Sequence, residues 1–135
     1  MPIHGAYTPY DIERVNRAML YISNHYTNSI STDHLSIEVN MDKKLLQKMM
    51  KAISGLTVHN YQLKIMVDHA TEDLSDFKLA VKKIAEKNGF SSSSHFIAQF
   101  KRQHGITPTR YRYLLSFKLI PMNVGVHTES IRVNG

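Results

Sequence analysis

Cysteine is absent from this sequence of 135 residues, and no apolar run approaches the length of a membrane span. Without cysteine the chain can form neither a disulfide nor a thiolate zinc site, and it has no cysteine nucleophile. A membrane helix needs about 18 consecutive apolar residues, and a signal peptide needs a charged and then apolar amino terminus. Neither pattern is present, so we expect a cytoplasmic protein with no membrane partner.

Acidic residues are scarce in the second half of the chain. Between residues 77 and 118 there are nine Lys or Arg side chains and a single acid, Glu86. Between residues 11 and 76 there are seven bases and nine acids. A basic region favours a polyanionic partner, and nucleic acid fits better than a membrane surface. A basic but otherwise ordinary soluble protein explains the charge alone equally well.

Motifs of catalysis and metal binding are also missing. The sequence contains no Gly-rich phosphate loop, no nucleophile motif and no patterned pair of carboxylates. None of the eight histidines is spaced from another like a helical pair of metal ligands. We therefore expect no enzymatic activity, no cofactor and no bound metal.

The residues that are present predict a series of short helices. Capping residues mark their starts, and these are Thr8, Ser31, Asp42, Thr57, Ser91 and Thr107. Gly55 and Gly105 suit the left-handed residue that often ends a helix. Strict alternation of apolar and polar residues, typical of strands, is absent between these points. The sequence therefore predicts an all-α protein of about seven helices.

Two parts of the sequence are copies of each other. With one extra residue in the second copy, the equivalent pairs are Leu35 and Ile84, Asn40 and Gly89, Leu46 and Phe96, Gly55 and Gly105, and Tyr61 and Tyr111. Each copy has a short helix, a turn at a residue that tolerates positive φ, and a second capped helix. This is the layout of a helix-turn-helix motif, whose second helix fits a DNA major groove about 12 Å wide.

The duplication predicts how the chain is organised. We expect a flexible arm over residues 1–7, a first helix-turn-helix lobe over 8–56, a linker helix over 57–74, a second lobe over 75–116 and a flexible tail over 117–135. The fold class is thus two helix-turn-helix subdomains joined by a long linker helix.

The second copy resembles the DNA-binding unit of the AraC/XylS transcription regulators, in which a long helix joins two such motifs. The match is carried by Ile84-Ala85, Gly89-Phe90, His95-Phe96, Phe100-Lys101, Gly105, Pro108 and Tyr111-Arg112. It covers residues 10–115 and is looser in the first copy. Asp73 departs from the family pattern, which usually has Leu, and Ala80 stands where a Ser or Thr would cap the helix.

The resemblance implies a bacterial, nucleoid-associated transcription regulator whose partner is double-stranded DNA, with RNA polymerase as a candidate second partner. No part of the chain looks like the family's effector-sensing domain. The chain therefore resembles either a small stand-alone member or the carboxy-terminal domain of a larger one. We expect a monomer whose two recognition helices occupy successive major grooves. The alternative is a helical adaptor that works through protein contacts and binds DNA only non-specifically.

The second helix of each motif contains the candidate base-reading residues, which are Lys44, Gln47, Lys48, Ser93, Ser94 and Ala98. In the first copy they lie opposite the apolar residues Leu46, Met49 and Ile53. Lys can donate to guanine and Gln can pair with adenine, whereas serine allows close approach but discriminates weakly. Ile97 and Ala98 either contact thymine methyl groups or extend the apolar side of the helix.

Basic, imidazole and hydroxyl groups near the helix ends are the candidate phosphate contacts. They are Lys43, Lys51, Ser91, His95, Lys101, Arg102, Thr107, Arg110 and Arg112. Phe90, Phe96 and Phe100 have the spacing of core residues rather than of a base-stacking surface. We expect base recognition to be concentrated in the first lobe. The competing view is that the near-neutral first lobe has given up DNA and the second lobe does all the binding.

Overall fold

The computed structural model describes residues 7–118, and seven α-helices account for most of them. They are α1 (Pro9–Asn24), α2 (Thr32–Glu38), α3 (Lys43–Ser54), α4 (Val58–Asp73), α5 (Val81–Lys87), α6 (Ser93–His104) and α7 (Pro108–Ser116). No strand occurs in this range, so the predicted all-α fold is confirmed. Apart from Tyr7, Phe117 and Lys118, the predicted arm and tail lie outside the described residues.

The chain divides into two compact units, the first ending at Leu63 and the second beginning at Lys64. In the first unit α2 and α3 pack against each other, and both pack against α1. In the second unit α5 packs against α6, and α6 packs against α7. Each unit therefore contains one helix-turn-helix motif, formed by α2 and α3 or by α5 and α6. The division falls within α4, and the lobe boundaries given above stay a prediction.

Side-chain caps define most of the helix starts. The Thr8 hydroxyl accepts from the Asp11 N–H at 3.1 Å, and the Asp11 carboxylate accepts from the Thr8 N–H at 3.2 Å. This reciprocal pair is a capping box. The other predicted caps that accept from the N–H three residues on are Ser31, Asp42, Thr57 and Thr107. Helix α5 begins after Ala80 without any side-chain cap.

The two motifs share the same turn. Asn40 has φ of 54° and Gly89 has φ of 90°, which are both left-handed values that Asn and Gly tolerate best. The N–H of the next residue, Met41 or Phe90, donates to the carbonyl five positions back, at 2.9 and 3.0 Å. The turn that orients each second helix is therefore built by equivalent hydrogen bonds in the two units.

The extra residue of the second copy lies in this turn. Ser92 caps α6, since its hydroxyl accepts from the His95 N–H at 3.0 Å, while Ser91 is an exposed turn residue. The prediction that the helix is capped by Ser91 is therefore wrong by one residue. Neighbouring serines cap equally well, so only the length of the turn decides which one does.

Apolar side chains from every helix of a motif form the core of its unit. Leu35, Leu46, Met49 and Met50 in the first unit, and Ile84, Phe96 and Phe100 in the second, are 0% exposed. Phe90 is also buried, so all three phenylalanines are core residues as predicted. The sequence groups Ile53 with Leu46 and Met49 on the apolar side of its helix and predicts that it is buried with them, but it is 41% exposed, so that expectation is wrong. The last turn of α3 is poorly covered, since residues 51–53 are all exposed.

Candidate nucleic-acid interface

The exposed face of α3 carries a row of basic and amide side chains. Leu46, Met49 and Met50 face the core of the unit, which turns the opposite side of the helix towards solvent. The exposed residues on that side are Lys43, Lys44, Gln47, Lys48 and Lys51. The structure thus brings together on one surface every α3 residue in the predicted DNA-binding set.

One residue of this row is already paired. Lys43 Nζ lies 3.0 Å from Asp33 Oδ1 of α2. Such exposed pairs contribute only about 0–1 kcal/mol, so Lys43 can exchange Asp33 for another anion. Within residues 7–118, Lys44, Gln47, Lys48 and Lys51 have no hydrogen-bond or ion-pair partner. Their donor groups are therefore available to a ligand.

Helix α6 presents a different surface. Ser94, Ile97 and Ala98 are exposed and Ser93 is half-buried, whereas Phe96 and Phe100 on the other side are 0% exposed. No charged side chain interrupts the exposed face before Lys101. A short and mostly uncharged surface of this kind allows the helix backbone to approach a partner closely.

His95 lies at the edge of this surface and is half-buried. Its ring packs edge-on against Phe90, with centroids 5.4 Å apart. Its Nδ1 atom lies 3.5 Å from the Ser91 hydroxyl oxygen, the long limit for a hydrogen bond. The phosphate contacts predicted for His95 and Ser91 stay predictions.

Three basic side chains of the predicted phosphate-binding set are exposed in the second unit without a partner among the described residues. They are Lys101 and Arg102 in α6 and Arg110 in α7. Thr107 is half-buried, and its hydroxyl caps α7 by accepting from the Arg110 N–H at 3.1 Å. The three charges are thus free to meet an anion, and the capped amino terminus of α7 adds a favourable dipole.

Arg112 has a structural role that sequence reasoning missed. Its Nε donates to the Leu74 carbonyl and its Nη2 donates to the Asp76 carbonyl, both at 3.1 Å. Burial lowers the pKa of Arg112, and the Asp76 carboxylate acts in the opposite direction. These bonds use two of the five guanidinium N–H groups, so the phosphate contact predicted for Arg112 stays a prediction. Its partners lie 38 and 36 positions earlier in the chain, where no local pattern could indicate them.

Asp73, the departure from the family pattern, accepts hydrogen bonds from one buried and one exposed side chain. Its carboxylate accepts from Asn88 Nδ2 at 2.8 Å and from Lys87 Nζ at 2.9 Å. Asn88 is only 1% exposed and also donates to the Ile84 carbonyl at 2.9 Å. A buried amide needs such partners, so Asp73 fixes the residue that precedes the Gly89 turn. A leucine at position 73 could not accept these hydrogen bonds.

The other side of α6 is used for packing within the second unit. The Thr71 hydroxyl donates to the Val67 carbonyl of α4 at 2.7 Å, and it lies 3.4 Å from His104 Nε2. Because its one proton is used in the first bond, the hydroxyl can only accept a hydrogen bond from His104. Burial lowers the pKa of His104, and the charge of Lys64 lowers it further. Burial also raises the pKa of Asp68, despite its 3.0 Å ion pair with Lys64. These groups hold α6 in place and are separate from its exposed face.

Residues 7–118 contain neither a candidate membrane span nor a metal cluster. No helix of that range has both the length and the apolarity needed to cross a bilayer. No three His, Asp or Glu side chains there are grouped so that they could hold a metal ion. The exposed faces of α3 and α6, the second helices of the two motifs, are therefore the candidate binding surfaces.

Residues 35–113, more than half of the chain, match the family model of a helix-turn-helix domain of the AraC type. The chain belongs to the AraC family of transcription regulators. The matched range begins in α2 and ends in α7, so both helix-turn-helix motifs lie inside it. This chain therefore contains the AraC-type DNA-binding domain, as the sequence resemblance implied.

Other AraC-type domains and regulators are similar to this chain. LumQ of Photobacterium leiognathi, a probable transcriptional regulator, is 30% identical in an alignment of 106 residues that covers 77% of this chain and 43% of LumQ. The chain thus spans less than half the length of that relative. The C-terminal domain of AraT, a response regulator from Geobacillus stearothermophilus, superposes with a TM-score of 0.69 at 27% identity over 80% of this chain and 87% of that domain. The DNA-binding domain of AdpA, solved with a target DNA, superposes with a TM-score of 0.71 at 18% identity. The match covers 77% of this chain and 94% of that domain, which shows a shared fold.

Proposed function

We propose that this chain binds double-stranded DNA sequence-specifically, as a monomer, with α3 and α6 in two successive major grooves. The observation that carries the proposal is the exposed row on α3, where Lys44, Gln47 and Lys48 have no partner within residues 7–118. Long donors on the second helix of a helix-turn-helix are suited to base edges. The AraC-family fold and the basic second half of the chain support the same partner.

The length of α4 fits a single chain that contacts two grooves. Sixteen residues form a helix about 24 Å long, and adjacent major grooves on one face of DNA repeat about every 34 Å. We expect hydroxyl-radical footprinting to show two protected windows about one turn apart, with one chain per DNA. One protected window, or a complex that requires two chains, would contradict the proposal.

Phosphate contacts supply affinity but not sequence preference. We assign this role to the exposed cations Lys51, Lys101, Arg102 and Arg110, with Lys43 after it leaves Asp33. In the second unit, we propose that Ser91, His95 and Thr107 add further phosphate contacts. Arg112 is left out because its guanidinium already donates to two backbone carbonyls.

Base reading is assigned mainly to α3. Lysine is a hydrogen-bond donor with long reach, and the Gln47 amide is both donor and acceptor, so it can form two hydrogen bonds to adenine. Ser93 and Ser94 reach less far, and Ala98 has no polar side-chain atom. The near-neutral charge of the first unit does not count against this division, because base contacts depend on geometry more than on net charge.

Gln47→Ala should relax selectivity at one or two base pairs by about 1–3 kcal/mol, the usual value of one good bidentate base contact. The melting temperature should not change, because Gln47 is exposed and has no partner among the described residues. Selection of preferred sites from a random DNA pool, for the wild type and for the variant, measures the effect.

Ser93→Ala and Ser94→Ala are the matched controls in α6, and each should alter the selected sequence much less. If Gln47→Ala and Lys44→Ala leave the selected sequence unchanged while a serine variant rewrites it, α3 is not the main reading helix. A wild type that enriches no sequence from the pool would contradict the proposed function itself.

A helical adaptor is the second candidate function. Among the exposed apolar side chains of the first unit are Ile37 at 77% and Leu20 at 60%, which a protein partner could cover. Under this alternative the chain binds DNA non-specifically and the selection experiment yields no consensus sequence. Ile37→Ala would then weaken binding to the protein partner while leaving DNA affinity intact.

A further inference from the structure

We propose that Ile97, with Ala98 beside it, reads thymine through the C5 methyl group in the half-site under α6. The inference rests on the proposed DNA-binding function and adds the class of base that the second motif recognises. The two half-sites would then be read by different chemistry. Hydrogen bonds from Lys44, Gln47 and Lys48 would select one, and apolar contact would select the other.

Ile97 occupies the same place in α6 as Gln47 in α3. Each residue follows the first fully buried side chain of its helix, Phe96 or Leu46. The N–H groups of those two residues donate to the carbonyls of the caps, Ser92 at 3.2 Å and Asp42 at 2.9 Å. The register of the two helices is therefore the same from the cap onward. A helix that directs Gln47 towards bases directs Ile97 towards them as well.

The neighbours of Ile97 leave it prominent on the exposed face. Ser93 and Ser94, one turn earlier, are short, and Ala98 is a single methyl group. Ile97 is 36% exposed while Phe96 and Phe100 are 0% exposed, so it is not part of the main core. It is the longest side chain on this face before Lys101, and close approach of α6 to DNA brings it to the groove floor first.

The chemistry of the major groove then selects the base. Thymine carries the one apolar group on the base edges there, the C5 methyl, whereas the other three bases present only donors and acceptors. An isoleucine pressed against those polar edges would displace water without replacing its hydrogen bonds, which is unfavourable. Against thymine, the isoleucine side chain and the C5 methyl group bury apolar surface against each other, which is favourable. Ala98 is small enough to contact a second thymine at the neighbouring step.

Exposure by itself does not mark a reading residue, because single exposed apolar side chains are common. Ile53 illustrates this, since it is 41% exposed but lies in the last turn of α3, away from the row formed by Lys44, Gln47 and Lys48. Ile53 therefore provides the matched control for an exposed isoleucine of similar accessibility. Position on the recognition face distinguishes Ile97 from it.

The test uses the DNA sequence that the wild-type chain selects, with deoxyuridine replacing thymine in one half-site at a time. This change removes the methyl group and keeps the base pair. The half-site under α3 is located by attaching a DNA-cleaving iron chelate to Ala52→Cys, the single cysteine in a chain that otherwise has none.

We expect uracil in the α6 half-site to weaken binding about three- to fivefold per contacted methyl, the usual effect of one buried methylene. Uracil in the α3 half-site should change affinity less than about twofold, since hydrogen bonds read that half-site.

Two variants link the effect to the side chain. Ile97→Ala should weaken binding to thymine DNA by a similar factor. The affinity of this variant should not change when uracil replaces thymine in the α6 half-site, because the side chain that contacts the methyl group is already gone. Ile97→Gln should change the preferred base at that position from thymine towards adenine. Ile53→Ala should bind thymine and uracil DNA as the wild type does.

Several results would overturn the inference while the proposed function stands. They are a selected α6 half-site without thymine, equal affinity of the wild type for thymine and uracil DNA, and full uracil sensitivity in Ile97→Ala. A wild type that selects no sequence at all would instead overturn the proposed function and the inference together.

Discussion

Replacing Phe100 with alanine should lower the free energy of unfolding of the second unit by about 3–5 kcal/mol and abolish its DNA binding. Phe100 is 0% exposed, and its ring packs edge-on against Phe96 at 5.8 Å and Tyr111 at 5.4 Å. It also lies against the His104 ring at 4.3 Å. Natural domains are stable by only about 5–15 kcal/mol, so a loss of this size leaves the unit marginal. Urea denaturation followed by circular dichroism measures the loss.

Phe117→Ala is the matched control, because Phe117 is the same residue type but 57% exposed. Its effect should stay within about 0.5 kcal/mol, as for most surface substitutions. A denaturation midpoint of Phe100→Ala that equals those of Phe117→Ala and the wild type would contradict the core assignment.

The triple variant Lys101→Ala, Arg102→Ala and Arg110→Ala should lose most of the affinity for DNA at low salt. Each phosphate contact contributes about 0.9 to the slope of log affinity against log salt, so three contacts contribute about 2.7. If the wild type and the variant bind DNA equally at 1 M salt, this difference in slope makes the variant bind about 500-fold more weakly than the wild type at 0.1 M salt. Titrations at several salt concentrations, on selected and on random DNA, should show a similar loss on both.

A second triple variant, Arg14→Ala, Arg17→Ala and Lys118→Ala, removes the same net charge from positions outside the proposed contact. Its salt dependence should remain close to that of the wild type. Equal losses in the two triple variants would mean that net charge alone attracts DNA to the chain. A loss confined to one base position would show that the first three residues read sequence instead.

Features set by a few neighbouring residues could be predicted from the sequence. Asn40 and Gly89 in the turns, and Gly55 and Gly105 after the second helices, all have positive φ as their residue types favour. The capping box at Thr8 likewise needs only a partner three residues away. The register of the second helices followed from the duplication, so the exposed row on α3 could be identified before any coordinates.

Features that depend on residues distant in sequence could not be predicted. The structural role of Arg112 is one of them, because nothing nearby in the sequence indicates its bonds to the Leu74 and Asp76 carbonyls. The role of Asp73, where the family pattern usually has Leu, likewise depends on Asn88 and Lys87, which donate to it from 15 and 14 positions further along the chain. The exposure of Ile53 depends on how far α1 and α2 cover α3, which is a property of the assembled unit.

Each unit has side-chain hydrogen bonds of its own that tie its helices together. In the second unit Arg112 donates to the Leu74 carbonyl, 38 positions earlier in the chain. In the first unit the Gln62 amide reaches back 36 positions to the Tyr26 carbonyl. All-helical chains, whose contacts are mostly local, fold within microseconds to milliseconds, whereas a ribosome adds only about 5–20 residues each second. The first helix-turn-helix can therefore fold on the ribosome before the second has been synthesised, and the nascent chain never has to keep both cores unfolded at once.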